Sequence, residues 1–434
     1  MNRRNFLRSL GAAGITLASP LAISACTSTN TGGGNQKVTI NWWHINTQDP
    51  LKSVWQNLAN QYMQAHPNVT IKITIIGGTN FIYQQKLQTT MEAGSPPDMF
   101  QSWGGGWLTD YVKAGQVQDV SAAIQQNGWG DTFGQGPLNL YRVNGRYYGV
   151  PWDAGAVGFW YNPTLFTKAG IQQPPATWDD FLTAIQKLKA AGITPISLGE
   201  GDKWPGAFYW EYLAVRLGGQ TAFTNAYTRK GSFADPPFVQ AGQYLQQLLA
   251  LHPFQNGFLG SNYTLEQQLI GNGKGAIELQ GQWGPTNDAA AAANPSASPK
   301  LNFFPFPSVP GGRGDPGDVL GGGNGFAFGK NAPPETTDFA RFLTSAANQR
   351  SLAQKQALVP PVKAAADGVT DPQMQKVQEL VASTHYYQLY YDQFFTAAVG
   401  TALNDLTQEL FANTKTPAQM AQAFDATVTA NLKS

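Results

Sequence analysis

Residues 37–45, KVTINWWHI, open the pattern on which the fold prediction depends. Their β-branched and aromatic composition predicts a strand, and the apolar positions of residues 50–67 follow the three-to-four spacing of an amphipathic helix. The alternation continues with a strand over 69–76, a helix over 81–94 and a strand over 96–103. Strands separated by helices in this order predict a parallel sheet that is covered by helices.

The chain is long enough for two such units, because its 434 residues exceed the roughly 250–300 at which one hydrophobic core stops growing. Residues 163–195 repeat the helix and strand alternation, and stretches rich in glycine or apolar residues at 144–162, 319–329 and 356–364 are interpreted as three crossings between lobes. The predicted fold class is α/β, with two lobes that each hold a mostly parallel sheet and flanking helices. The predicted N-terminal lobe comprises 37–152 and 326–360, and the predicted C-terminal lobe comprises 153–325 and 361–434.

The first 25 residues have the organisation of an export signal. MNRRNFLRSL is basic, and the apolar stretch after it is shorter than the roughly 20 residues that span a bilayer. RRNFL resembles a twin-arginine signal, and Ile23 to Cys26 resembles a lipobox, in which Cys26 becomes the lipidated first residue. We therefore expect removal of residues 1–25, a flexible tether over 26–36, and a protein anchored by lipid to the outer face of the cytoplasmic membrane. An ordinary cleaved signal with an incidental cysteine is the alternative.

The charge of the chain argues against two classes of partner. Charged residues make up 13% of the sequence, about half the usual share of roughly 25%. The 28 basic and 27 acidic residues give +1, and removal of Arg3, Arg4 and Arg8 with the signal leaves 25 against 27, or −2. Such a balance gives no electrostatic attraction to nucleic acid or to an anionic membrane. We expect no nucleic-acid partner and membrane contact through the lipid anchor only.

Motifs for cofactor or metal chemistry are missing from the sequence. The four histidines lack metal-ligand spacing, and Cys26 is the single cysteine, so no metal or cofactor is expected. The glycine-rich stretches have neither a phosphate-loop ending nor a full dinucleotide fingerprint, and no G-x-S-x-G elbow occurs. A glycosidase needs two facing carboxylates, and the sequence leaves such a pair open. The candidates on loops or strand ends are Asp98, Asp153, Glu200, Asp202 and Glu278.

Residues 197–213, SLGEGDKWPGAFYWEYL, concentrate aromatic side chains. A ring face can cover the apolar C–H side of a sugar while neighbouring polar groups bind its hydroxyls. Aromatic residues at helical spacing more often pack a core, which is the prediction for Phe208, Tyr209, Trp210 and Leu213. Trp204 differs, because in GDKWPG a helix is not expected and the ring is free to project toward a ligand.

Several stretches in sequence order resemble one family. They are the lipobox, WWHI, PPDMFQSWGGGW, YGVPWDAGAVGFWYN, GKGAIELQGQWGP and the segment 340–349. Together they resemble the extracellular solute-binding proteins of carbohydrate ABC importers, the group that includes maltose-binding protein. The resemblance covers essentially the whole chain after the signal, and it implies two α/β lobes with a sugar between them at the ends of the strands, where open α/β sheets bind ligands.

The resemblance also implies binding residues. Trp283 matches the stacking tryptophan that follows a strand, and Asp153 lies at the first crossing, where the family often places a carboxylate against sugar hydroxyls. The other positions carried over are Trp43, His44, Asn46, Ser102, Trp103, Lys203, Trp204, Gly323, Asn324, Tyr391 and Asp392. For each of them a structural role is the alternative. The chain has His-Ile-Asn where maltose-binding protein has an Asp-Lys pair, which argues against maltodextrin as the ligand.

The function implied is capture of a small neutral oligosaccharide, xylobiose by preference, followed by delivery to the permease of an ABC importer. Closure of the two lobes about a hinge would hold the sugar, and the protein is expected to be a monomer and not an enzyme. Two alternatives of other classes are an exported carbohydrate-active enzyme, which would form product, and a binding protein for a charged solute, which would need a cluster of carboxylates or arginines in the cleft.

Overall fold

The computed structural model describes residues 36–77, 80–355 and 358–432, with side chains omitted at 80, 81 and 432. The predicted signal peptide, the twin-arginine motif, Cys26 and nearly all of the tether lie outside the described residues. Among the described residues, no helix combines the length and apolar character needed to cross a membrane.

The strands and helices follow in chain order. The strands are β1 (Val38–His44), β2 (Val69–Ile75), β3 (Met99–Ser102), β4 (Arg142–Val143), β5 (Arg146–Tyr147), β6 (Gly149–Pro151), β7 (Gly155–Ala156), β8 (Gly158–Tyr161), β9 (Thr194–Ile196), β10 (Gly275–Gln280), β11 (Asn302–Phe304), β12 (Val319–Gly322), β13 (Gly325–Phe328) and β14 (Tyr387–Leu389). The α-helices are α1 (Leu51–Ala65), α2 (Asn80–Glu92), α3 (Gly105–Lys113), α4 (Ser121–Gln125), α5 (Gln135–Asn139), α6 (Pro163–Lys168), α7 (Trp178–Ala190), α8 (Trp204–Tyr227), α9 (Pro236–Ala250), α10 (Tyr263–Gly271), α11 (Gly284–Ala291), α12 (Pro334–Leu343), α13 (Ala346–Gln354), α14 (Pro372–Ser383), α15 (Tyr391–Phe394), α16 (Ala397–Phe411) and α17 (Pro417–Leu432). The 3-10 segments are Gln126–Gly128, Gly130–Thr132, Glu200–Asp202, Phe258–Gly260, Pro295–Ala297 and Lys363–Gly368.

Two larger sheets form the centres of two lobes, as the predicted fold class requires. The first has the strand order β2-β1-β3-β13-β6, and the second has the order β11-β8-β10-β9. Both sheets are mixed, whereas the sequence predicted mostly parallel ones: β1 runs parallel to β2 and β3, but β13 is antiparallel to both of its neighbours. In the second sheet β9 and β10 are parallel, and the other pairings are antiparallel.

The crossings explain why the sheets are mixed. Parallel neighbours need a long connection that returns the chain to the starting edge of the sheet. β13 begins at Gly325 beside Ser102, where β3 ends, and β8 begins at Gly158 beside Gln280, where β10 ends. Each of these strands therefore enters its sheet at the edge where its neighbour leaves, and must run antiparallel to it.

A small third sheet, β14-β12-β7, accompanies the first two crossings. β7 and β8 follow β6 closely, and β12 precedes β13 by two residues. In the stretch predicted as the third crossing, the carbonyl of Val359 accepts from Ala154 N, the carbonyl of Pro361 accepts from Gly134 N, and Val362 forms a bridge with Phe133. The exact lobe boundaries stay a prediction.

Each lobe has an aromatic core. In the first lobe Trp42 and Trp55 are fully buried and meet edge to face with 5.7 Å between ring centroids. In the second lobe residues 205–219 of α8 are buried on all sides, and Tyr209, Trp210 and Leu213 among them are fully buried. The predicted core role of these three residues is therefore confirmed.

Two helix starts illustrate where local signals succeed and fail. Thr177 caps α7 as predicted, since its Oγ1 accepts a hydrogen bond from Asp180 N at 3.2 Å. The expectation that a helix would not begin in GDKWPG is wrong, because α8 begins at Trp204 itself. Pro205 is tolerated in the first turn, where its missing N–H has no helical partner to lose, and Lys203 turns the chain into the helix with a φ of 67°.

Candidate functional site

A cavity of about 530 Å³ lies where the ends of β1, β3 and β10 meet the first two crossings. Both rings and polar side chains line it. Its aromatic lining consists of Trp103, Trp107, Trp152, Trp204, Phe208, Tyr263, Trp283 and Tyr390. Its polar lining consists of Asn46, Gln84, Asp153, Asp202, Lys203, Thr264, Gln282, Asn287, Asn324, Asp392, Gln393, Thr401, Asn404 and Asp405. Ile45, Leu51, Gly201 and Gly400 complete the wall.

Most of the residues carried over from the family resemblance meet in this cavity. Those in its wall are Asn46, Trp103, Asp153, Lys203, Trp204, Trp283, Asn324 and Asp392. They come from separate parts of the sequence, and both lobes and both of the first two crossings contribute. A ligand in the cavity would therefore lie between the lobes, as the resemblance implies.

Five of the carried-over residues lie outside the wall of the cavity. His44 is 1% exposed with its ring 4.9 Å from that of Trp42, while Trp43 and Ser102 lie beside the wall residues Ile45 and Trp103. At Gly323 an added Cβ would lie 2.1 Å from the carbonyl oxygen of Asp153, so this position has no room for a side chain. Their contact with a ligand stays a prediction.

Tyr391 occupies the core position that was left open as an alternative. It is 1% exposed and contacts the rings of Trp210 and Phe223. The neighbouring Tyr390 lines the cavity instead. The register of the short helix α15 decides which of two adjacent tyrosines faces the cleft, and the sequence contains no local signal for that register.

Aromatic rings of the second lobe form one continuous wall. The ring centroid of Trp204 lies 4.9 Å from that of Tyr263 and 6.5 Å from that of Trp283, and Trp283 lies 6.2 Å from Tyr390. All three contacts are edge to face, so no two of these rings are stacked face to face. Trp283 follows β10 directly and Trp204 opens α8, so both rings are fixed at the rigid ends of buried elements.

Asp153 joins the crossings to one another. Its Oδ2 accepts hydrogen bonds from Gln282 Nε2 at 2.6 Å and from Asn324 Nδ2 at 2.9 Å, and its Oδ1 accepts from Val359 N at 3.2 Å. Gln101 Nε2 in turn donates to Asn324 Oδ1. Burial raises the pKa of Asp153 to about 7, although these hydrogen bonds act in the opposite direction. Because both oxygens already have protein donors, the carboxylate fixes the geometry of the crossings beneath the cavity.

The acidic side of the cavity is formed by residues of the second lobe. Burial raises the pKa of Asp392 to about 6, against the effect of its hydrogen bonds to Asn404 and Gln393. Lys203 forms an ion pair with Asp405, and both side chains are largely exposed, so the pair contributes little to stability. Within the part of the chain that the structure describes, no group of three or more histidine, cysteine or acidic residues is arranged to hold a metal ion.

Glycines of the WGGGW stretch bring the first lobe against the second. At Gly105 and Gly106 an added Cβ would lie 2.2 Å from the carbonyl oxygen of Gln393 and 2.0 Å from that of Phe395, respectively. This close approach allows Trp107 Nε1 to donate to the carbonyl oxygen of Asp392 at 3.0 Å. Trp107 is thereby held in the cavity wall by a hydrogen bond from one lobe to the other.

Replacing Gly106 with alanine is expected to lower the free energy of unfolding by about 1–3 kcal/mol, because the methyl group forces α3 away from Phe395. Denaturant titration measures this change. Gly136→Ala is the matched control, since an added Cβ there meets nothing within 4 Å. Equal stability of the two variants would contradict the close contact.

Sequence reasoning missed several residues of the wall, for different reasons. Trp107 and Gln282 stand inside the stretches WGGGW and GQW, so the rule that residues after a strand reach the cleft could have included them. Tyr263 and Asn404 belong to the helices α10 and α16 and have no motif around them. Their position depends on packing between elements far apart in the sequence.

Residues 47–350 match the family model described as bacterial extracellular solute-binding protein. The chain is 28% identical over 248 residues to an uncharacterized ABC transporter extracellular-binding protein of Pyrococcus horikoshii, a match that spans 56% of this chain and 54% of that protein. It is 22% identical over 409 residues to the multiple sugar-binding protein of Streptococcus mutans, across 90% of this chain and 92% of that protein.

Solved structures share the fold over most of their length. A structure from work on xylan utilization by the thermophilic bacterium Caldanaerobius polysaccharolyticus superposes with a TM-score of 0.81 and 28% identity, covering 89% of this chain and 99% of that one. A chitin oligosaccharide binding protein superposes with a TM-score of 0.83 and 24% identity, covering 92% of this chain and all of the other, and this likeness concerns the fold. With the family match over 47–350, these findings make the chain a member of the bacterial extracellular solute-binding proteins.

Proposed function

We propose that this protein is an exported receptor that binds a small neutral oligosaccharide in the cavity and passes it unchanged to the permease of an ABC importer. The observation that carries the proposal is the lining of the cavity, in which Trp204, Trp283 and Tyr263 lie among amide and carboxylate side chains. Ring faces suit the C–H surface of a sugar, and the polar groups between them suit its hydroxyls.

Xylobiose is the preferred ligand. Support comes from the likeness, at 28% identity, to the structure from work on xylan utilization. The similarity to the multiple sugar-binding protein of Streptococcus mutans supports a sugar as the class of ligand. A cavity of about 530 Å³ suits a ligand of a few rings.

Delivery would follow closure of the lobes about the crossings. A ligand held by Trp283 and Trp204 of one lobe gains contacts with Asn46 and Trp103 of the other only when the lobes approach, which shifts the population toward the closed form. The hydrogen bonds of Asp153 hold the crossings together during that movement. The closed monomer would be the form that the permease binds, and a lipid on Cys26 would keep it at the outer face of the membrane.

Calorimetric titration of the purified protein with xylobiose, cellobiose, chitobiose, maltose and xylose tests the proposal. We expect saturable binding of xylobiose, and the sugar should be recovered intact afterwards by chromatography. Trp283→Ala is expected to weaken binding at least about 30-fold, equivalent to roughly 2 kcal/mol, because a ring in the wall is lost. Tyr227→Ala removes an exposed ring that does not line the cavity and should leave the affinity unchanged.

The other outcomes have distinct meanings. Formation of a shorter sugar would favour an exported carbohydrate-active enzyme. An absence of heat with every sugar would favour a receptor for a non-carbohydrate solute. Preference for a different disaccharide would support the receptor function but show that xylobiose is not its ligand. Mass spectrometry of the protein isolated from its host membranes tests lipidation of Cys26 separately.

A further inference from the structure

The indole of Trp283 is held from behind by buried side chains that do not face the cavity. Its Nε1 donates to Gln280 Oε1 at 3.2 Å. Gln280 Nε2 donates to Glu266 Oε1 at 2.7 Å, and Glu266 Oε2 accepts from Gly199 N at 2.6 Å. Gln280 and Glu266 are 0% and 1% exposed, and neither lines the cavity.

The order of donors and acceptors along this series of hydrogen bonds is fixed. The indole N–H and the backbone N–H of Gly199 can only donate. Between them, Glu266 accepts at both oxygens, and the amide of Gln280 accepts at one end and donates at the other. The indole N–H and the carboxyl group of Glu266 together determine which way the amide of Gln280 points, and the amide determines where the indole N–H is held.

The backbone beneath the indole of Trp283 restricts where this ring can lie. At Gly281 an added Cβ would lie 2.2 Å from the ring of Trp283, so the indole rests directly on the chain. The carbonyl oxygen of Gly281 accepts from Trp160 Nε1 at 3.0 Å, which ties this segment to the strand β8. The indole thus has a fixed support below it and a fixed hydrogen bond at its nitrogen.

We infer that Gln280 and Glu266 are positioning residues, which set the affinity of the cavity for its ligand by fixing the ring of Trp283. This inference rests on the proposed function, because it assumes that Trp283 contacts the ligand. Gln280 on β10 and Glu266 on α10 would thus affect ligand binding although neither contacts the ligand.

Exchange of the two side chains tests the inference. Glu266→Gln places two amides in series, so that in every orientation one N–H faces another, at Trp283, at Gly199 or between the two amides. Gln280→Glu places two carboxyl groups together in a buried site. The double variant Glu266→Gln/Gln280→Glu restores the order, since Glu at 280 accepts from the indole and from Gln at 266, which accepts from Gly199.

The readouts are the dissociation constant for xylobiose and the fluorine NMR signal of 5-fluorotryptophan at position 283. The signal is assigned with Trp283→Phe, and it reports the ring without any ligand. Each single variant is expected to weaken binding about five- to tenfold and to shift or broaden the signal. The double variant should recover the wild-type signal and affinity to within about threefold.

The two readouts separate this inference from the proposed function. Wild-type signal and affinity in both single variants would overturn the inference, and so would a double variant that is no better than the singles. If wild-type protein binds none of the titrated sugars while the signal responds as expected, the receptor proposal fails and the positioning of Trp283 stands. Thermal unfolding of every variant identifies any that does not fold, and Gln280→Leu then serves as the replacement, because it removes the hydrogen bonds to the indole and to Glu266 without adding a buried carboxyl group.

Discussion

Replacement of Arg216 by methionine is expected to lower the free energy of unfolding by about 3–5 kcal/mol. Arg216 is 1% exposed in α8, and its guanidinium donates to the backbone carbonyl oxygens of Phe306 at 2.9 Å and Asp318 at 2.7 Å. It also lies 4.9 Å from the ring centroid of Tyr212. Methionine fills part of the volume but leaves buried carbonyl oxygens without donors, and each such group costs about 1–3 kcal/mol.

The effect should extend to the loop that contains the RGD tripeptide. Arg313 N and Gly314 N donate to the carbonyl oxygens of Leu217 and Arg216, so the loop is fastened to the same turn of α8. These contacts give the loop at residues 313–315 a structural role.

Denaturant titration with a two-state fit measures the loss in Arg216→Met. Arg313→Met is the matched control, because Arg313 is exposed and its replacement should change stability by less than about 0.5 kcal/mol. The loss of stability in Arg216→Lys should lie between those of Arg216→Met and Arg313→Met, since an ammonium cannot reach all the carbonyl groups that the guanidinium reaches. A loss below 1 kcal/mol in Arg216→Met would show that the carbonyl groups find other donors.

Local patterns were sufficient to predict the first five elements of the chain, from β1 to β3. The strand expected over 37–45 is β1 at Val38–His44, and the helix expected over 50–67 contains α1 at Leu51–Ala65. Alternation in a strand also explains the adjacent tryptophans, of which Trp42 is fully buried and Trp43 is half-buried on the opposite face. These features depend on neighbours within a few residues, so a sequence pattern contains them.

The support of the cavity could not be predicted in the same way. The contact of Asp153 with sugar stays a prediction, and Asp153 does line the cavity. The hydrogen bonds that hold its carboxylate come from Gln282, Asn324 and Val359, which lie more than a hundred residues away in the sequence. Gln280, which accepts from Trp283, is likewise held by Glu266 on another element. Such arrangements depend on how crossings and helices pack, and a single sequence shows only which residue types are present.

Lowering the pH from 8 to 5 is expected to raise the free energy of unfolding by about 3–5 kcal/mol. Burial raises the pKa of Asp153 and of Glu278 to about 7 in the folded protein, above their ordinary values near 4. The folded chain therefore binds more protons than the unfolded chain between about pH 4 and pH 7. Stability is highest below the unfolded pKa and is lost as the pH rises through the folded pKa.

Other buried groups modify this trend. Desolvation raises the pKa of Glu200, Glu266 and Asp288 as well, which acts in the same direction. Burial lowers the pKa of His44 from 6.5 to about 4. The contribution of His44 to the free energy of unfolding is therefore complete above its ordinary pKa, and it is lost as the pH falls toward the folded pKa. Since one pKa unit corresponds to about 1.4 kcal/mol, His44 offsets only part of the gain from Asp153 and Glu278 at pH 5.

Denaturant titrations at pH 8, 7, 6 and 5 measure the slope of the free energy of unfolding against pH. Asp153→Asn and Glu278→Gln should each reduce it, because a neutral side chain no longer exchanges a proton on unfolding. Asp338→Asn changes a carboxylate that is 59% exposed and should leave it unchanged. Stability that is flat or rises toward pH 8 would mean that water or a rearrangement solvates the buried acids of the second lobe. Because Glu278 and Glu266 lie in the elements that support Trp283, the same titration shows whether the wall of the cavity is built on neutral or on charged side chains.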